Sequence, residues 1–142
     1  MLFRLTGYVE AQDTSRGCFD KINVLIVHTN DTHSCIEPVL DNFADTVMAD
    51  KGGFLRRVVL VDSLRAINPN LLLFDSGDFS QGLPYYNLFK GDVEVSLMNR
   101  MKYDACVIGN HEFDYGLDNM ARLFKSMNFP VVCCNYDFTA KL

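Results

Sequence analysis

The chain has 142 residues, 49% of them hydrophobic and 22% charged, with a formal net charge of −5. That length is enough for one domain with a real core, and no apolar run approaches the ~20 residues a helix needs to cross a bilayer. The basic residues are scattered, with only Arg56-Arg57 adjacent, which argues against a surface for long nucleic acids. A small phosphate ester remains compatible with the acidic balance, because bound cations would dominate the local field.

Residues 1–21 read as a leader or appended segment. Leu2–Val9 can form an extended edge strand, and Gln12–Gly17 reads as loop. Arg4, Glu10 and Asp13 interrupt any hydrophobic stretch, so the segment is not a secretory signal. From residue 22 to residue 142 the pattern is that of a single α/β unit. Ile22–Val27 is β-branched and almost wholly apolar, as in a strand buried on both faces. Glu37–Met48 is compatible with a helix that tolerates Pro38 in its first turn. Gly52-Gly53 breaks the chain, and Phe54, Val58, Val61 and Leu64 then recur at helical spacing to about Ile67.

Leu71–Phe74 is a second strand, followed by a loop from Asp75 to Pro84. Val93, Leu97, Met98 and Met101 line one helix face, and Asp104–Ile108 is a third strand. Leu117, Met120, Ala121, Phe124 and Met127 mark the cleanest amphipathic helix, and Pro130–Cys134 a fourth strand. Alternating strands and helices imply a parallel sheet covered by helices. Of the five cysteines, Cys106, Cys133 and Cys134 lie in apolar runs and read as small buried hydrophobes, while Cys35 is expected to be accessible. No Cys-x-x-Cys spacing is present.

Three polar blocks follow three of these strands: Asn30-Asp31-Thr32-His33, Gly77-Asp78 and Gly109-Asn110-His111-Glu112. Right-handed crossovers bring such blocks to one sheet edge, where α/β proteins bind ligands. Asp31 and His33, two apart on an extended segment, would point the same way and reach one ion. Carboxylate plus imidazole suits zinc, manganese or iron; the alternative is an Asx-turn beside a surface histidine. Asp78 follows a glycine and can bridge two cations, or else occupy a solvated turn. Asp75, deeper in the strand, reads as structural. An Asn110 amide adds an oxygen ligand without charge; alternatively it caps a helix. His111 is placed to meet a substrate, with Asp114 orienting its ring and raising its pKa. Glu112 is expected to serve the loop backbone, and His28 to be a core histidine satisfied by a backbone group.

In this order, the blocks resemble the metallophosphoesterase (calcineurin-like) superfamily, in its 5′-nucleotidase, 2′,3′-cyclic-nucleotide phosphodiesterase and UDP-sugar hydrolase branch. The resemblance spans about Val24 to Asn135. It includes Leu25–Ser34, Gly52–Arg57, Tyr103–Ala105, Gly109–Gly116 and, most specifically, the long stretch Gly77–Gly91. It implies a sandwich of β-sheets flanked by helices, of which this chain would hold the N-terminal half. Asp31 and His33 then resemble ligands of a first metal, Asp78 the bridging carboxylate, Asn110 a ligand of the second metal, and His111 with Asp114 the catalytic dyad. The implied cofactors are two divalent ions drawn from zinc, manganese, cobalt or iron. The implied reaction is attack of a metal-bound hydroxide on the phosphorus of a nucleotide.

The chain departs from that family in having no histidine after His111, where members supply further ligands, and in lacking their nucleotide-binding C-terminal domain. It therefore reads as the amino-terminal part of a larger enzyme, whose site a C-terminal domain or a second copy would complete. The alternative is a non-catalytic fragment or interaction module that keeps part of the metal site. Members are usually periplasmic, secreted or cell-surface proteins.

Overall fold

A computed structural model describes residues 4–9, 24–40 and 49–138. Five strands form one sheet in the order β1-β2-β3-β4-β5. They are β1 (Arg4–Val9), β2 (Val24–Thr29), β3 (Leu72–Asp75), β4 (Ala105–Val107) and β5 (Val131–Val132). β1 pairs antiparallel with β2 at the sheet edge, as an appended strand would, and every later pair is parallel. The helices are α1 (Phe54–Ile67), α2 (Pro84–Phe89), α3 (Asp92–Met101) and α4 (Gly116–Ser126), with a 3-10 turn at His111–Phe113.

Strands laid down in sequence order, each joined to the next by a right-handed crossover, place every crossover helix on the same face. The burial pattern follows that rule. Leu25, Val27, Leu73 and Cys106 form one core with Phe54, Val61, Val95, Met98, Met101 and Leu123 from the helices. The alternate residues Val24, Ile26, Leu72, Phe74 and Ala105 are only half-buried, and Val107 and Val132 are exposed. The expectation of strands buried on both faces is thus corrected: among the described residues, helices cover one face of the sheet and the other is open, its apolar side chains half-buried or exposed.

Other expectations are adjusted by the geometry. Residues 37–40 are not helical, and the rest of the helix expected to Met48 lies outside the described residues, as does the Gln12–Gly17 loop. The loop after β3 gives way to α2, which no periodicity in the sequence marks; Pro84 occupies its first turn, where a missing N–H costs nothing. Cys106 is buried, but Cys133 and Cys134 are exposed. β5 ends at Val132, so both thiols lie beyond the strand. Cys35 is partly accessible. His28 falls on the open face of β2, and its buried Nδ1 has no hydrogen-bond partner among the described residues, contrary to the satisfied core histidine expected.

Candidate metal centre

β2 and β3 end level with each other, at register partners Thr29 and Asp75. Both are buried. The Thr29 hydroxyl donates to Asp75 Oδ2 at 2.5 Å and lies 2.8 Å from the Tyr103 hydroxyl, while Gly77 N–H donates to Asp75 Oδ1 at 3.0 Å. Burial pushes the Asp75 carboxyl up to about 7, against the opposing pull of the Thr29 and Gly77 hydrogen bonds. Desolvation likewise pushes Tyr103 up to about 12. Asp75 is therefore the structural group the sequence implied, fastening the two strand ends from which the polar loops leave.

Past Thr29 the first loop runs alongside the second. Asp31 N–H donates to Gly77 O at 3.0 Å, His33 N–H to Asp78 O at 3.1 Å and Ser34 N–H to Phe79 O at 3.0 Å. The segment is not extended, which corrects the expected geometry. Asp31, His33, Ser34 and Asp78 have φ of 51°, 42°, 52° and 56°. Left-handed backbone at non-glycine residues is uncommon, costs on the order of 1–3 kcal/mol each and gathers where function over-determines the fold. Here the cross-loop hydrogen bonds impose it.

Glu112 provides the third attachment. Its buried carboxylate accepts from the backbone N–H groups of Asp78 at 3.0 Å, Phe79 at 3.1 Å and Gly109 at 2.6 Å. Burial raises its pKa, and the donated hydrogen bonds oppose the rise. This is the backbone role expected from the sequence. Gly109 lies so close to the second loop that a Cβ there would collide with Asp78 Oδ1 and with the Asp78 backbone nitrogen.

Three loops so tied bring the candidate side chains together. Asp78 accepts the His111 N–H at 2.9 Å through Oδ1. His33 Nε2 stands 3.7 Å from Asp31 Oδ1 and 3.9 Å from Asp78 Oδ2. Ligand atoms of His33, Asp78 and His111 all lie within 4.8 Å of one another. The His33 and His111 rings meet edge to face, 5.3 Å apart. His33 Nε2 is buried yet has no hydrogen-bond partner among the described residues. An imidazole and carboxylate donor set of this kind fits a divalent transition metal.

His111 Nδ1 pairs with Asp114 Oδ2 at 3.0 Å, and that hydrogen bond raises the imidazole pKa. With Nδ1 engaged by Asp114, Nε2 is the ring nitrogen not used by that pair. The 3-10 turn that begins at His111 brings the ring into the same small volume as His33 and Asp78. Asn110 precedes that turn, is exposed and makes no side-chain capping bond. Asn30, which nothing in the sequence singles out within the first block, donates to Asp31 Oδ2 at 2.6 Å and orients that carboxylate.

Known proteins resemble this chain along most of its length. Residues 24–141 match the family described as calcineurin-like phosphoesterase. A snake venom 5′-nucleotidase of Crotalus adamanteus is 37% identical over 137 residues, 95% of this chain and 23% of that protein. The 5′-nucleotidase of Homo sapiens is 38% identical over 113 residues, 78% of this chain and 20% of that protein. Among solved structures, a 5′-nucleotidase precursor from Thermus thermophilus superposes with a TM-score of 0.72 at 39% identity, covering 82% of this chain and 23% of that one. The chain thus spans less than a quarter of the length of these relatives. With most of its length matched by the family, and with the strand-end loops arranged as described, the chain belongs to the calcineurin-like phosphoesterases.

Proposed function

We propose that this chain carries the N-terminal share of a phosphoester-hydrolysing site, and that the substrate of the whole protein is a nucleotide. The observation that carries the reading is the convergence of His33, Asp78 and His111 within 4.8 Å, with the buried, unpartnered His33 Nε2 among them. Asp31 and His33 would hold one divalent cation, Asp78 would bridge it to a second, and Asn110 would serve the second. When bound, such cations supply Lewis-acid charge to phosphoryl oxygens and make water more acidic.

The chain's own chemistry centres on His111. Asp114 fixes the ring through Nδ1 and favours its protonated form. An imidazolium held there can neutralise charge developing on phosphate oxygens or give a proton to the leaving oxygen. Glu112 keeps Asp78 and Gly109 in place through backbone contacts, its carboxylate directed at N–H groups rather than at a cation. The nucleotide assignment rests on relatives named 5′-nucleotidases, and the venom relative fits an exported protein.

A second reading keeps part of the site without catalysis. One observation favours it: among the described residues, the cluster of His33, Asp78 and His111 is the single group able to hold a metal through three His, Cys, Asp or Glu side chains. Metal counting separates the readings. Calorimetric titration of the purified chain with manganese, together with phosphate release from AMP, is expected to show binding that Asp78→Asn abolishes. Two ions per chain with turnover would establish the enzyme. One weak ion without turnover would leave the chain a partial site completed elsewhere. Manganese binding unaffected by Asp78→Asn would refute the site itself.

A further inference from the structure

Beneath the metal loops, α1 and α3 each send a charged residue into the interior. Arg57 is 8% exposed and Glu94 is 4% exposed. Both line a cavity of about 20 Å³, together with Thr32, Cys35, Asp75 and Tyr103. Arg57 is partly engaged: Nη2 donates to Cys35 O at 3.4 Å, and the guanidinium lies over the Phe54 ring. Arg57 Nε and both carboxylate oxygens of Glu94 have no hydrogen-bond partner among the described residues.

Buried polar groups in native proteins are paired with protein or with ordered water, and a buried charge most of all. Water needs roughly 10–15 Å³ and two to four polar partners. The cavity meets both conditions. A metal cation is not called for, because the Arg57 guanidinium already provides the positive charge. We propose that this cavity is a built site for one ordered water, which accepts from Arg57 Nε–H and donates to the Glu94 carboxylate. The water turns two half-satisfied charges into a solvent-bridged ion pair inside the protein.

The bridge has a consequence for the loop above it. Arg57 reaches the carbonyl of Cys35, and Cys35 N–H closes a turn on Thr32 O at 2.9 Å. His33 lies within that turn. Arg57 and Glu94 are thus positioning residues for the first metal loop, acting from below.

The test is a crystal structure of this chain at a resolution that shows buried waters. One water within hydrogen-bond distance of Arg57 Nε and a Glu94 oxygen is expected; an empty cavity, or direct contact between the two side chains, overturns the proposal. A double-mutant cycle in urea unfolding provides an independent check. Arg57→Met and Glu94→Leu each leave the other charge stranded, so the double variant should lose less than the product of the singles, by about tenfold or more in the folding equilibrium constant. Simple additivity would count against the bridge. For the positioning role, amide hydrogen exchange at Cys35 should accelerate in Glu94→Leu and return toward normal in Glu94→Gln, which still accepts from water. Unchanged exchange in Glu94→Leu would remove that role, and should the single variants fail to fold, the density alone decides.

Discussion

At the scale of single residues, the site works through unequal treatment of similar groups. Asp75, Asp78, Asp114 and Glu112 are all carboxylates within a few residues of the sheet edge. Asp75 and Glu112 are buried and bonded to backbone or hydroxyl donors, and both have raised pKa values. Asp114 is exposed and directs its charge at His111. The consequence for His111 is testable by NMR titration of the metal-free chain. Its pKa should lie above the ordinary imidazole value, and Asp114→Asn should return it downward, since the Asp114 hydrogen bond is the largest cause of the rise. His111→Asn, in turn, should abolish phosphate release while calorimetry still detects manganese, if His33, Asp31 and Asp78 hold the ion. Loss of both would show that His111 is itself a ligand, as its place in the cluster allows.

At the scale of elements, the loops are positioned by close backbone approach rather than by rigid secondary structure. A methyl at Gly109 would run into both Oδ1 and the backbone nitrogen of Asp78. Backbone atoms cannot yield as a flexible side chain can, so Gly109→Ala should displace Asp78 and abolish metal binding even though Gly109 carries no side chain to contribute. A calorimetric titration that still shows wild-type affinity would disprove this steric account. The contrast is α4, whose Leu123 is 1% exposed in the core and belongs to none of the three loops. Leu123→Ala should destabilise the fold by about 2–5 kcal/mol in urea unfolding, while the folded variant keeps its metal affinity.

At the scale of the whole molecule, two properties follow from the fold. The first is a pH dependence with a definite sign. Asp75 and Glu112 bind protons more tightly folded than unfolded, so their contributions favour folding at low pH and weaken as pH rises through the folded values. His111 has the same sign, because its raised pKa gives stability that is lost as pH climbs past it. The chelator-treated chain should therefore show a thermal midpoint that falls between the ordinary carboxylate value of 3.8 and the folded Asp75 value of about 7. A midpoint flat or rising over that window would contradict these assignments. The second property is the open face of the sheet. Phe74, Leu72, Ile26 and Val24 are half-buried and Val107 and Val132 exposed, with the helical core residues packed on the other side. Light scattering should show this chain associating as its concentration rises, since an apolar face of this kind seeks a cover. A monomer at all concentrations would count against an uncovered apolar face.

The parallel α/β architecture, the place of α1 from Phe54 to Ile67, and the blocks that carry Asp31, His33, Asp78, Asn110, His111 and Asp114 are all legible in the amino-acid pattern. They are so because strand and helix periods are local, and because polar residues directly after apolar strands stand out. Asp75 and Glu112 were legible for a related reason: a carboxylate next to a buried strand or a tight turn has few uses other than holding backbone. Local pattern did not reveal α2, whose one turn and a half is too short for a period to register, nor the exposure of Cys133 and Cys134, which depends on β5 stopping at Val132. That Asp31, His33 and Ser34 are left-handed rather than extended follows from packing, because their φ values are imposed by hydrogen bonds to Gly77, Asp78 and Phe79, tens of residues away. For the same reason the fold alone placed His111 beside His33, and Arg57 and Glu94 on one cavity: such pairings arise from loop and helix packing, which no window along the chain contains.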